Sequence, residues 1–338
     1  MNNVKLQELY SDEIMNRDLI KENFLDLNII SSYKASYESL IDLGKNNRAD
    51  ILRAYSTEKH EKYINNGFIA KPSWVIWLLE NKKFNNVNEY VTVLNKKDRH
   101  SIRKAIKLLN NNPNFKLVVE DEIKEENLKK FYDLYKSNIA SMQNGVNLLK
   151  NDYKEFLLKK DRYKGIYFYL GETLIGGVLC IKKSNMLRAI YLATLKFNIN
   201  VNVSRYLYYT LIRISIEDGY EFTSLGADPT LYGHMVSTGL FHIKRKMGFK
   251  PLPSKYMGED SLDLYEKVLN IEKFNGLAMS LAYENNNLSS KKLDCYIFSS
   301  SRLTEGEKNK FRSSFFTNVF FQEEEDLYEE IIDSRLEL

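Results

Sequence analysis

The sequence predicts an α/β (α+β) protein whose mixed sheet is organised around an antiparallel three-strand meander. Three observations carry this. Residues 166–170, 174–181 and 186–194 are apolar runs rich in β-branched and aromatic side chains, separated only by Gly171-Glu172-Thr173 and by the turn 182–185. Amphipathic helices flank them. Residues 125–142 place Leu128, Phe131, Tyr132, Tyr135 and Ile139 on one side, and residues 204–218 place Leu207, Leu211 and Ile214 at i, i+4 and i+7 before a stop at Gly219. Finally, residues 221–249 read as strand, polar loop, helix and Gly-Phe.

Composition sets the bounds. At 338 residues, 43% hydrophobic and 28% charged, the chain is ordinary globular protein with room for two domains. Cys180 and Cys295, its only cysteines, exclude a disulfide framework, and the four histidines have no zinc-ligand spacing, so no metal is expected. The polar, acid-containing start MNNVKLQELYSDE is unlike a signal peptide, and no apolar run approaches the ~20 residues of a membrane span. These features predict a soluble protein of a reducing, cytoplasmic compartment. The net charge of +4 hides an asymmetry, because residues 321–338 carry eight acids against Arg335. The rest of the chain is therefore more basic than its total, which suits an anionic ligand; the acidic end either shields that surface or aids solubility.

In chain order, residues 1–70 read as mostly helical. The run KPSWVIWLL (71–79) starts extended at Pro72, and Trp74 and Trp77 serve as core or as pocket wall. Residues 90–94 read as a strand. The following helix sets Lys96, Lys97, Arg99, Arg103, Lys104 and Lys107 around an Ile102, Ile106, Leu109 stripe. It is either a phosphate-facing surface or a solubilising face, and it lacks the interleaved exposed aromatics of a single-strand nucleic-acid groove. NNNP (110–113) breaks the chain before a strand over 115–120, and Asn151 is the expected cap of a helix over 152–160. Gly176-Gly177, inside the second meander strand, predicts a bulge or a close backbone approach. Ser204 is the expected cap of the helix after the meander. Beyond residue 253 the pattern gives a helix over 262–269, a strand over 295–298 and a helical tail. The domain boundaries expected from this are 1–93, 94–253 and 254–338.

Chemistry concentrates in residues 221–249. The strand is expected to end at Gly226, and the loop after it holds Asp228, Pro229, Tyr232, Gly233 and His234. On a helical wheel of residues 237–247, Leu240, Phe241, Ile243 and Met247 form the apolar face, while His242, Arg245 and Lys246 point away. Lys244 falls inside the apolar face, where it must snorkel out or meet a partner in a cleft. Cys180, mid-strand with no histidine partner, is a poor nucleophile.

The segments LNKKDRHSIRKA (94–105), LKKFYDLYKSN (128–138), FTSLGAD (222–228) and GLFHIKRKMGF (239–249), in that order, resemble the GNAT acyltransferase fold, closest to its Fem-type and BioF2-like branch. The resemblance spans residues 94–250, and residues 1–93 would then be a reduced first lobe of a tandem GNAT-like pair. It implies transfer of an acyl or aminoacyl group to the amine of a peptide or small molecule. Asp228 or His234 would be the base, Tyr232 the acid for the leaving group, and Lys244 an active-site cation, as Fem-type enzymes place a lysine of this segment. The chain departs from the acetyl-CoA pattern: where a glycine-containing loop would cradle pyrophosphate, residues 197–205 read FNINVNVSR. Asn198, Asn200 and Asn202 of that loop form turns or help to bind. Ser204 and Arg205 at the helix start, with Arg99, Arg103 and Lys104, are the expected donor-binding residues. No permanently bound cofactor is implied. The cosubstrate is an acyl-CoA, an acyl carrier protein or, for a Fem-like aminoacyl transferase, aminoacyl-tRNA. A GNAT-fold binding module without catalysis is the third class.

Overall fold

A computed structural model describes residues 19–33, 36–56, 60–142, 145–195 and 202–323. The chain opens on an antiparallel hairpin, β1 (Leu19–Phe24) and β2 (Leu27–Ser32), closed by Leu25 and Asp26 at φ 48° and 67°. Positive φ at both turn residues matches the twist of the two strands. Helix α1 (Tyr37–Asn46), capped by Ser36, precedes β3 (Ile51–Tyr55), and α2 (Glu61–Asn65) leads to β4 (Ile69–Pro72) and β5 (Trp74–Glu80). Next come α3 (Val87–Val93), α4 (Lys96–Asn111), β6 (Phe115–Glu120), α5 (Glu125–Ala140) and α6 (Leu149–Leu158). The meander is β7 (Tyr163–Leu170), β8 (Thr173–Lys183) and β9 (Met186–Thr194), followed by α7 (Val203–Glu217) and β10 (Phe222–Pro229). β11 (Leu231–Tyr232), α8 (Thr238–Lys246), β12 (Lys250–Pro253) and β13 (Asp263–Val268) follow. The described chain ends with β14 (Leu277–Tyr283), β15 (Leu293–Ser299), α9 (Glu305–Phe311) and β16 (Phe316–Glu323).

These elements form two compact units, and neither is a continuous stretch. Trp77–Gly226 and Ile243–Lys250 make the first; the described residues up to Ile76, Ala227–His242 and the described residues from Pro251 make the second. In the first, six strands of the sheet run β5-β10-β9-β8-β7-β6. β6, β7, β8 and β9 pair antiparallel in sequence, and β10 joins β9 in parallel over Phe222–Ser224. The expected meander is present. So is the GNAT order of helix, helix, meander, helix, strand and helix, as α5, α6, β7–β9, α7, β10 and α8.

Gly176 and Gly177 show why this packing needs glycine. A Cβ on Gly177 would lie 2.8 Å from the Phe131 ring of α5, and one on Gly176 would lie 2.7 Å from Val203 of α7. Consecutive strand residues face opposite sides, so each glycine admits a helix to one face of the sheet. The opposing strand also shifts register at Phe168/Tyr169, the irregularity the glycines predicted. Under α5 and α6 the core is built from Leu128, Phe131, Phe156, Tyr167, Leu179 and Tyr191.

The second unit holds a five-stranded sheet, β1-β2-β3-β13-β4, and a four-stranded one, β11-β14-β15-β16. Leu27, Ile29, Ile51 and Ile69 of the first pack with Ala278, Ala282 and Phe298 of the second, around Phe274. Each unit thus has a mixed sheet, as tandem lobes would.

Several expectations need correction. The described part of residues 1–70 is not mostly helical but holds the β1–β2 hairpin and β3, because the Leu25-Asp26 turn lacks the glycine that marks such turns. Residues 90–94 lie largely in helix α3: Asn86 Oδ1 accepts from the N–H groups of Asn88 and Glu89, and burial of Tyr90 and Val91 overrides the β-branched composition. Residues 262–269 form strand β13 between β3 and β4 rather than a helix. Helix α6 starts at Leu149, ahead of Asn151, and α7 is capped by Asn202 rather than Ser204. β10 continues past Gly226 to Pro229, with Gly226 at φ 79°. The expected helical tail, the start of the chain, Asn198 and Asn200 lie outside the described residues.

Candidate functional site

In the first unit, helix α4 is fixed by its polar start. Asn95 Oδ1 accepts from the Asp98 N–H, and the buried Asp98 carboxylate pairs with Arg205 of α7 at 2.7 Å. Ile102 and Ala105 bury the inner face. The outer face then projects Lys96, Lys97, Arg99, His100 and Arg103 around an open cleft of about 770 Å³, with no carboxylate among the described residues of its lining. Arg99 donates one N–H to the Thr92 carbonyl at 2.9 Å, which holds its guanidinium at the rim. A row of cations at the positive end of a helix attracts anions.

The donor-binding candidates therefore separate. Arg99 and Arg103 share the cleft, and Lys104 is exposed on the same helix but outside the lining. Arg205 is committed to Asp98 and lies 3.4 Å from the Met247 sulfur, so it ties α4 to α7. The Ser204 hydroxyl donates to Asn202 Oδ1 at 2.8 Å. Lys96 and Lys97, read from the sequence as part of the same basic helix, line the cleft too, and His100 is the lining residue that the sequence reading did not single out.

Lys244 belongs to the first unit and is buried, at 3% exposure, as its position on the apolar face of the helix requires. Its Nζ lies 5.8 Å from the centre of the Trp77 ring. An aromatic face favours the charged form of a desolvated ammonium. The Tyr90 hydroxyl donates to the Met247 carbonyl at 3.0 Å, and Gly248 at φ 81° ends the helix in the left-handed conformation glycine favours.

Asp228, Tyr232 and His234 belong to the second unit. Tyr232 is fully buried and its hydroxyl donates to Asp228 Oδ2 at 3.0 Å, so the structure brings these two candidates together. His234 is engaged elsewhere. Its side chain is 5% exposed, and Nε2 lies 2.9 Å from Asp26 Oδ1 on the β1–β2 turn. One buried cluster had no sequence signal at all. Lys71 donates to Glu266, and to Ser280 Oγ at 2.7 Å, and Arg53 meets the same carboxylate at 2.7 Å. Burial pushes the Lys71 ammonium down while Glu266 pulls it back; burial also opposes charge on Glu266, yet the two cations hold that carboxyl below its usual range. Burial pushes the Cys180 thiol up, in keeping with a structural cysteine. Among the described residues no three His, Cys, Asp or Glu side chains converge as metal ligands, and no helix is long and apolar enough to cross a membrane.

Two mixed-sheet units, a meander clasped by helices and a basic helix face describe an α/β protein of the GNAT order. Residues 34–236 match the profile of the FemAB-like family, described as peptidoglycan biosynthesis/recognition, and the chain belongs to that family. No curated protein matches the sequence. Among solved structures, FemX aligns at 12% identity over 74% of this chain and 82% of its own, with a TM-score of 0.42. The C-terminal domain of a putative lysylphosphatidylglycerol synthetase from Agrobacterium fabrum aligns at 11% identity over 78% and 92%, with a TM-score of 0.39. A tandem GNAT protein from the clavulanic acid biosynthesis pathway aligns at 9% identity over 67% and 66%, with a TM-score of 0.36.

Proposed function

We propose that this chain is an N-acyltransferase that moves an acyl group from a phosphate-bearing thioester donor, a CoA or a carrier protein, to the amine of a peptide or small molecule. The observation that carries this reading is the cleft on α4, where Lys96, Lys97, Arg99, His100 and Arg103 converge with no acid among them. Such a surface binds phosphate by charge and by arginine forks, without reading the acyl chain.

The reaction joins the amine nitrogen to the acyl carbon and expels the thiolate. It needs a proton acceptor for the amine, a stabiliser for the oxyanion and a proton for the leaving group. Lys244 is the cation for the oxyanion or a donor phosphate, and a buried charge does that work better than an exposed one. Asp228 or His234 is the base. Tyr232, already directed at Asp228, supplies the acid.

The family's peptidoglycan description favours a peptide amine as acceptor, and it supports a second reading in which aminoacyl-tRNA is the donor. The open cleft suits that polyanion as well. A native mass spectrum of freshly purified full-length protein separates the two. A copurified acyl-CoA or acylated carrier protein supports the first reading and copurified tRNA the second. A bare chain that binds neither on titration supports the non-catalytic binding module.

A further inference from the structure

The Asp26–His234 pair lies within the second unit. His234 enters the second unit on the loop after β11, where Gly233 takes φ 118° and a Cβ there would lie 2.5 Å from the Leu277 carbonyl. That close approach seats the imidazole edge-on to Phe274, with ring centres 5.9 Å apart. Asp26 comes from the β1–β2 turn, 208 residues earlier, and meets Nε2 at 2.9 Å. Lys273 is 3.5 Å from the other oxygen of the same carboxylate. The hydrogen bond from His234 first, and the Lys273 charge with it, hold the Asp26 carboxyl below its usual range. An ionised carboxylate only accepts, so Nε2 carries the proton and Nδ1 carries the lone pair. Nδ1 is shielded from solvent, and among the described residues no donor reaches it.

A shielded acceptor without a donor is destabilising, and a catalytic role is one reason for a native fold to keep one. We propose that Asp26 is the positioning residue of His234, and that His234 Nδ1 is the proton acceptor for the substrate amine. This rests on the acyl-transfer reading and chooses between its two bases. The amine lone pair forms the C–N bond as the acyl C–S bond (or C–O bond, for an ester donor) breaks, and its electron pair leaves on the sulfur or oxygen. The proton on the attacking nitrogen passes to Nδ1, giving an imidazolium whose Nε2–H stays on Asp26. The leaving group takes its proton from Tyr232, and the imidazolium gives up its proton to solvent, which restores the neutral ring.

Asp26→Asn tests this on an exposed turn where folding is not at stake. An asparagine amide can donate to Nε2, which drives the ring proton to Nδ1 and removes the lone pair. Nitrogen-15 histidine NMR of the full chain should show the Nε2–H tautomer in the wild type and Nδ1–H in Asp26→Asn. With octanoyl-CoA and glycinamide as probes, turnover should fall about 10²- to 10⁴-fold in Asp26→Asn and in His234→Gln, the scale of a lost general base, with KM little changed. The wild-type fall in kcat/KM on acidification should be absent from the residual activity of both. An Nδ1–H tautomer in the wild type overturns the positioning claim, and a flipped tautomer with full turnover overturns the proton-acceptor claim. If wild type turns over no donor and amine, the acyl-transfer reading fails and the proton-acceptor claim with it, while the tautomer still decides the role of Asp26.

Discussion

Reversing charge in the α4 cleft should weaken donor binding by a predictable amount. Arg99 and Arg103 both line it, whereas Lys104, on the same helix and equally cationic, does not. Two unit charges about 6 Å apart in water interact by about 0.7 kcal/mol. Arginine to glutamate turns attraction into repulsion, which doubles that to about 1.4 kcal/mol, or about tenfold in affinity, at each position facing a phosphate. The double variant Arg99→Glu/Arg103→Glu should therefore bind about 100-fold more weakly in low salt. At 1 M salt, where the Debye length is about 3 Å, most of that difference should vanish. Lys104→Glu should cost less than about threefold, a small share of the estimate for a lining charge. Isothermal titration with coenzyme A, and separately with deacylated tRNA, reads all three proteins at both salts. Wild-type affinity in the double variant, or an equal loss in Lys104→Glu, would refute the assignment of this cleft to donor phosphates.

Two further predictions concern buried charge. Lys71→Met leaves Glu266 with Arg53 alone and deprives Ser280 of its donor, so urea unfolding should show a loss of about 3–5 kcal/mol, recovered in part by adding Glu266→Gln; a loss under 1 kcal/mol would show the cluster to be slack. Asp152, buried beside Tyr191, has its carboxyl raised by burial. The folded form then holds its proton to higher pH than the unfolded chain, so this group's contribution is best in acid and is lost as pH rises from about 4 through the folded value. Asp152→Asn should abolish that loss, and parallel stability–pH curves for the two proteins would contradict it.

What could be read from the sequence was local. Apolar runs and short turns announced β7–β9, the paired glycines announced a bulge or close approach in β8, and the wheel put Lys244 inside, where it is buried. Two errors came from local signals that tertiary packing overrides: the β-branched run at residues 90–94 lies in a capped helix, and the helical spacing of residues 262–269 belongs to a central strand. The partnerships that define the sites were out of reach. Asp26 and His234 are 208 residues apart, Lys71 and Glu266 195 apart, and no periodicity links such pairs. Arg205 shows the converse: at a helix start it reads as an anion ligand, yet Asp98 of another helix takes it.

The central claim is that this chain makes an amide bond, and the product itself tests it most directly. The full-length protein would be incubated with an acyl-CoA series and, in parallel, with aminoacyl-tRNA, each with a nitrogen-15-labelled lysine peptide, and the mixture analysed by mass spectrometry. The account predicts a peptide heavier by one acyl or aminoacyl group, with the labelled nitrogen in the new amide, formed as donor is consumed. It also predicts a rate lower by roughly 100-fold or more in Lys244→Met, the scale of one lost electrostatic stabiliser, and almost unchanged in Arg245→Met. Donor hydrolysis without labelled amide, or equal rates in the two variants, would contradict it.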